Sequence, residues 1–202
     1  MTIEISSVFT PSKIVPHLVP LAKHNSALHG VAHWTRVHRY GLLLADTLEL
    51  SSTQKIAIAL FGWTHDLART NDGGGNQHSI DGADYVVDVT NTLFSNFPRD
   101  TLDIVRCAIY YHSDGMTAEE ALYQHSLKDN LTWSRDDILN TLGCCWDADR
   151  LDLLRLGIAP QESKMSTPYW DDVLPLAAKL NKMTSLFKEK SNYELNENEW
   201  FT

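Results

Sequence analysis

Basic residues are in short supply in this sequence: 17 lysines and arginines stand against 26 aspartates and glutamates in 202 residues, a formal net charge of -9. A nonspecific grip on duplex nucleic acid draws much of its affinity from a cationic footprint, so this balance argues against that class of partner. A small anionic ligand would need local help from a metal and a few arginines, because the average field repels it. Long apolar runs are also missing. No stretch approaches the ~18 residues that mark a membrane span, and Met1-Thr2-Ile3-Glu4-Ile5-Ser6 lacks the basic start and apolar run of a secretion signal. A cytoplasmic location is expected. Cysteine is scarce and odd in number, with Cys107, Cys144 and Cys145 alone, so no disulfide framework is expected. There is no internal repeat and no low-complexity block.

What the chain does have is histidine, nine in all, several beside carboxylates, and apolar residues at helical spacing. Residues 11 to 23 read as short or kinked helix because of Pro16 and Pro20. Val31 to Leu50 reads as a helix, with Val37, Leu42, Leu44, Ala45 and Leu48 on one side. The next helix, with Thr53 as a candidate cap, is so continuously apolar from Ile56 to Phe61 that it should be central and buried. Further helices are expected over 79–94, with strand as the rival reading, and over 99–112, 116–127, 134–155 and 171–188. Leu156 to Tyr169 reads as irregular, and the tail from Ser191 as loose. The length suits one domain, taken here as 1–202. The class expected is all-α.

Three separated segments carry metal-compatible donors. Phe61-Gly62-Trp63-Thr64-His65-Asp66 sets an imidazole and a carboxylate side by side at the end of the apolar helix. Burying either costs free energy unless something pairs with it, and a divalent metal pairs with both. The glycine-rich stretch from Asn71 to Gln77 would give solvent and substrate access to them. In the second segment, His29, His33 and Arg36 recur at intervals of four and three, which on a helix puts them on one face. The third, Asp147-Ala148-Asp149-Arg150-Leu151-Asp152, is an acidic cluster in an otherwise apolar helix. Each has a plain alternative, since helical histidines are mostly packing residues and acidic runs mostly solvated faces.

Taken in order, these phrases resemble the signature of the HD-domain superfamily of metal-dependent phosphohydrolases: a histidine, a His-Asp doublet and a distant aspartate. The matching contexts are His33-Trp34-Thr35-Arg36-Val37, the His65-Asp66 doublet closing an apolar helix, and Ala148-Asp149-Arg150-Leu151. The resemblance covers roughly 28 to 155 and leaves 156–202 as a C-terminal loop and helix. It implies an HD-like helical bundle in which His33, His65, Asp66 and Asp149 bind one divalent ion, with Asp66 also helping to take a proton from the attacking water. His78 and His112 fall where some members hold a second metal; they are equally placed to bind substrate, to transfer a proton or to cap a helix. His29 has the same standing. Asp147 and Asp152 are the alternatives if Asp149 faces away.

Neutral imidazole with carboxylate suits Mn, Fe, Ni, Co, Zn or Mg and does not choose among them. Arg36 is the first candidate for phosphate contact and Arg69 the second, each with an ion pair to a nearby carboxylate as the alternative. Of the aromatics near the motifs, Trp34, Trp63, Trp146, Tyr110 and Tyr111, one is available to stack a nucleobase, although core packing suits most of them. The function implied is hydrolysis of a small phosphate ester, a nucleotide by family habit. The rivals are a noncatalytic regulatory protein that holds a metal or nucleotide, and oxygenation at paired irons, which a few HD-like proteins perform.

Overall fold

In the computed structural model, which describes residues 2–125 and 132–187, eight α-helices account for the architecture and no β-strand forms among the described residues. They are α1 (Pro11–Leu18), α2 (Val31–Thr47), α3 (Ser52–Thr64), α4 (Gln77–Leu93), α5 (Arg99–Tyr111), α6 (Ala118–His125), α7 (Arg135–Leu151) and α8 (Trp170–Phe187). The fold is an all-α bundle, as the periodicity indicated, and the 79–94 segment is helix rather than strand. The tail from 188 lies outside the described residues.

The centre is α3. It packs against α2, α5 and α7, and Ala57 through Thr64 are buried without interruption, as expected of a helix hydrophobic on all sides. Its start is fixed by a capping box: Ser51 accepts from the Gln54 amide while the Gln54 side chain takes the Ser51 N–H. The cap is thus Ser51, not Thr53. A matching box of Ser134 and Asp137 starts α7. Where α2 crosses α3, Gly62 lets the backbones approach so closely that a Cβ there would stand 2.6 Å from the His38 Cα and 2.7 Å from its nitrogen.

Two elements end earlier than their sequence pattern suggested. Pro16 stays within α1, but the helix stops at Leu18 and a 3-10 turn, Val19–Leu21, takes Pro20. The last core helix stops at Leu151 rather than near Arg155, and a 3-10 turn, Asp152–Leu156, closes on Gly157 at φ 75°. That left-handed residue is where glycine is favoured. The turn changes the direction of Asp152 relative to Asp149, and the site depends on it. A further turn, Glu162–Lys164, interrupts the segment expected to be irregular.

Candidate metal centre

The functional side chains gather at one end of the bundle because they sit at helix ends. His65 is the residue that closes α3 and His112 the one that closes α5; His78 lies in the first turn of α4, and Asp149 near the end of α7. His33 comes from α2. His29 does not share its helical face as the spacing suggested, because α2 begins only at Val31; it reaches the cluster from the preceding turn.

Two nests of donors result. In the first, His33 Nε2 lies 3.0 Å from His65 Nε2 and 3.4 Å from an oxygen of Asp149, while His65 Nε2 is 3.7 Å from that same oxygen. In the second, His78 Nε2 and His112 Nε2 are 3.1 Å apart and stand 3.5 Å and 3.7 Å from Asp66 Oδ1. Asp66 joins them, since its Oδ2 is 3.4 Å from His33 Nε2 and 3.7 Å from His65 Nε2. A bond of ~2.1 Å to a divalent ion sets neighbouring donors ~3.0 Å apart in an octahedron and ~3.4 Å in a tetrahedron. The observed spacings fall in and just above that range.

The outer ring nitrogens show how the cluster could hold a cation. His33 Nδ1 lies 2.7 Å from Asp152 Oδ2, His65 Nδ1 3.2 Å from the Phe61 carbonyl, and His112 Nδ1 2.7 Å from the Ile109 carbonyl. Each partner can only accept, so each Nδ1 carries the hydrogen and each Nε2 turns a lone pair inward. Two facing lone pairs at 3.0 Å repel unless a proton or a metal ion lies between them. Burial favours the ligating form at two of the histidines, lowering His65 to a pKa of about 3 and His78 to about 4; at His33 burial pulls the same way, but its hydrogen bonds to Asp152 and Asp66 outweigh it and raise the imidazole. Burial alone would raise Asp66, yet the surrounding histidines hold its carboxyl well below the usual range.

Second contacts fix the ligands. Asp152, fully buried, binds His33 Nδ1 and the Arg36 guanidinium through Nε at 2.6 Å and Nη2 at 3.0 Å, and Arg155 Nη1 lies 3.2 Å from it. It is therefore an orienting group for His33, a role distinct from the ligand alternative considered for it. Arg36 takes the ion-pair alternative rather than phosphate contact, with Asp152 as its carboxylate: buried and held there, it does not line the cavity, so it orients rather than touching substrate. Arg69 donates to Asp66 through Nε at 2.7 Å and to the Gly73 carbonyl at 3.1 Å, and it does line the cavity. His29 Nδ1 donates to Asp66 Oδ2 at 2.9 Å. Asp147 faces away from the nests and accepts from the backbone of Ser166 and Thr167.

The nests open into a cavity of about 620 Å³. Gly74, Gly75 and Asn76 of the glycine-rich stretch form part of its mouth, as expected; the opposite wall, Leu153, Leu156, Ile158 and Pro160, comes from the segment after α7. Among the described residues, no tryptophan, tyrosine or phenylalanine lines it. Trp34, Trp63 and Trp146 are completely buried, so their fate is core packing. Three donor groups among the described residues could hold a metal ion: His29, His33 and Asp66; His33, His65 and Asp149; and Asp66, His78 and His112. In comparisons with known proteins, no family model, no curated protein and no solved structure matches the chain.

Proposed function

We propose that this chain is a metal-dependent phosphohydrolase of the HD-domain type, acting on a small phosphate ester. The observation that carries the reading is the pair of donor nests sharing Asp66 at the floor of a cavity large enough for an organic phosphate. His33, His65, Asp66 and Asp149 are the ligands we assign to one ion, and His78 and His112 with the other oxygen of Asp66 to a second. A divalent ion held there supplies a Lewis acid that lowers the pKa of a water molecule and offsets charge on the phosphoryl oxygens.

The remaining work falls to the chain. Asp152 and the Phe61 and Ile109 carbonyls keep the imidazoles in the tautomer that binds. His29 and Arg69 hold the Asp66 carboxylate between the nests, and from there it is placed to orient the attacking water. Water oxygen bonds to phosphorus, the ester P–O bond breaks, and the alcohol leaves with a proton. Arg69 is placed to meet a phosphoryl oxygen, and the aliphatic wall offers van der Waals surface to the organic part of a nucleotide or similar ester. Purified chain supplied with Mn, Ni, Co or Mg should release phosphate from some member of a phosphoester panel, and Asp66→Ala should not. No release above the Asp66→Ala control with any metal would end the hydrolase reading.

The shared carboxylate also favours a second reading, a paired-iron oxygenase. That alternative requires tightly held iron and oxygen uptake with an organic substrate.

A further inference from the structure

We infer that the cavity has a second anion subsite, built on Lys164 and Arg155, and that the ligand it takes carries two phosphoryl groups. This rests on the phosphohydrolase reading, which accounts for one phosphoryl group at the histidine cluster and says nothing about a second.

Four cations line the cavity, Arg69, Arg150, Arg155 and Lys164, against the carboxylates of Asp66, Asp114 and Asp149. The lining thus carries one more cation than carboxylates in a chain whose net charge is -9, with Asp147 and Asp152 behind it as partners of Arg150 and Arg155, and each divalent ion at the cluster would add two more charges. One phosphate monoester brings about two negative charges at neutral pH, fewer than such a cleft can balance once loaded. Enclosed charge of one sign also draws in a ligand of the other.

The compensation of each cation then locates the surplus. Arg69 is matched by Asp66, and Arg150 has Asp147 at 3.7 Å. Asp152, by contrast, serves both Arg36 and Arg155, so one guanidinium charge of that trio is unbalanced. Arg155 is nine-tenths buried at 9% exposure, and its Nε has no hydrogen-bond partner among the described residues. An unmatched N–H in a buried guanidinium costs free energy that a ligand oxygen can recover after a small rotation. Lys164 is exposed, donates to the Gly115 carbonyl at 3.1 Å, and forms no ion pair among the described residues.

The position of Lys164 is also built. Arg150 donates to the Lys164 carbonyl through Nη1 and to the Met116 carbonyl at 2.6 Å. Two residues on, the buried Asp147 accepts the Ser166 amide at 2.9 Å and the Thr167 amide and hydroxyl at 2.7 Å each. An internal carboxylate and a guanidinium thus anchor the short segment that presents to the cavity an ammonium with no direct ion pair among the described residues, its charge felt by Glu120, a site for a phosphate oxygen as a point-charge partner.

The test uses metal-loaded protein and two inert probes, inorganic phosphate and methylenediphosphonate, with binding measured by calorimetry. Methylenediphosphonate should bind at least about tenfold more tightly than phosphate, an advantage of ~1.4 kcal/mol. Chelation of the metal by two phosphonates would give an advantage too, so the decisive arm is Lys164→Met. Most of the diphosphonate's advantage should vanish, the loss for phosphate should stay under about twofold, and Lys164→Arg should restore it. If phosphate binds but the advantage survives Lys164→Met intact, the subsite is refuted and the hydrolase reading stands. If neither probe binds the loaded protein, the subsite is likewise refuted, while the phosphate-release assay alone decides the hydrolase reading.

Discussion

Replacing Asp152 by asparagine tests whether this carboxylate holds the metal centre in shape. It is completely buried and is shared by His33 Nδ1, both forks of Arg36 and the Nη1 of Arg155. All of these donate hydrogen bonds. An asparagine offers one oxygen in place of two and turns a donor toward groups that are donors themselves, so at least one contact becomes an N–H facing an N–H. It also removes the negative charge that Arg36 and Arg155 share. Breaking a buried pair by removing one partner costs about 3–5 kcal/mol. At ~2–4 °C per kcal/mol for a chain of this size, the melting temperature should fall on the order of 10 °C. His33 also loses the acceptor that fixes its tautomer, and such losses weaken metal binding ~10–100-fold. Denaturant melts of the metal-free protein and metal titration of Asp152→Asn read the two effects separately. A stability loss below about 1 kcal/mol, together with unchanged metal affinity, would refute the reasoning.

Two further outcomes follow from the packing. His38 is buried, its Nε2 donates to the Val8 carbonyl at 2.9 Å, and burial lowers its pKa from 6.5 to about 4. The unfolded chain therefore takes a proton below pH ~6.5 that the folded chain refuses until about pH 4, so stability falls across that window by about 3 kcal/mol and levels off below it. His38→Gln keeps a donor but cannot titrate, so its stability should depend less steeply on pH than the wild type between 6.5 and 4; equal slopes would contradict the assignment. Gly62→Ala should destabilise by about 1–3 kcal/mol, because the added methyl meets the His38 backbone at 2.6 Å. Alanine's better helix propensity works the other way by only ~1 kcal/mol, so a net gain in denaturant stability would show that the α2–α3 crossing is looser than described.

How far the sequence foretold this can be judged residue by residue. His65 and Asp66 were conspicuous because two polar groups close an apolar helix, and burial of both is what the structure shows. The helices were legible because amphipathic spacing survives wherever a helix packs on a core. Asp152 was legible only as a spare ligand: its service to His33 and Arg36 depends on α7 giving way to a 3-10 turn at Leu151, which apolar periodicity running on to Arg155 concealed. Arg36 was legible as either a cleft contact or an ion-paired residue, and what its helical position could not name was the partner, a carboxylate 116 residues away. The wall from Leu153 to Lys164 left no pattern, because a segment held by Asp147 and Arg150 contacts to backbone needs no periodicity of its own.

Metal content is the most direct test of the central claim. Chain purified without chelators or an affinity metal, then analysed by plasma mass spectrometry, should hold about one to two equivalents of divalent metal, or take them up from Mn, Fe, Ni, Co, Zn or Mg with release of protons. His33→Ala with His78→Ala should abolish both. Less than about a tenth of an equivalent in the purified chain, with no uptake of any of those ions, would contradict the account.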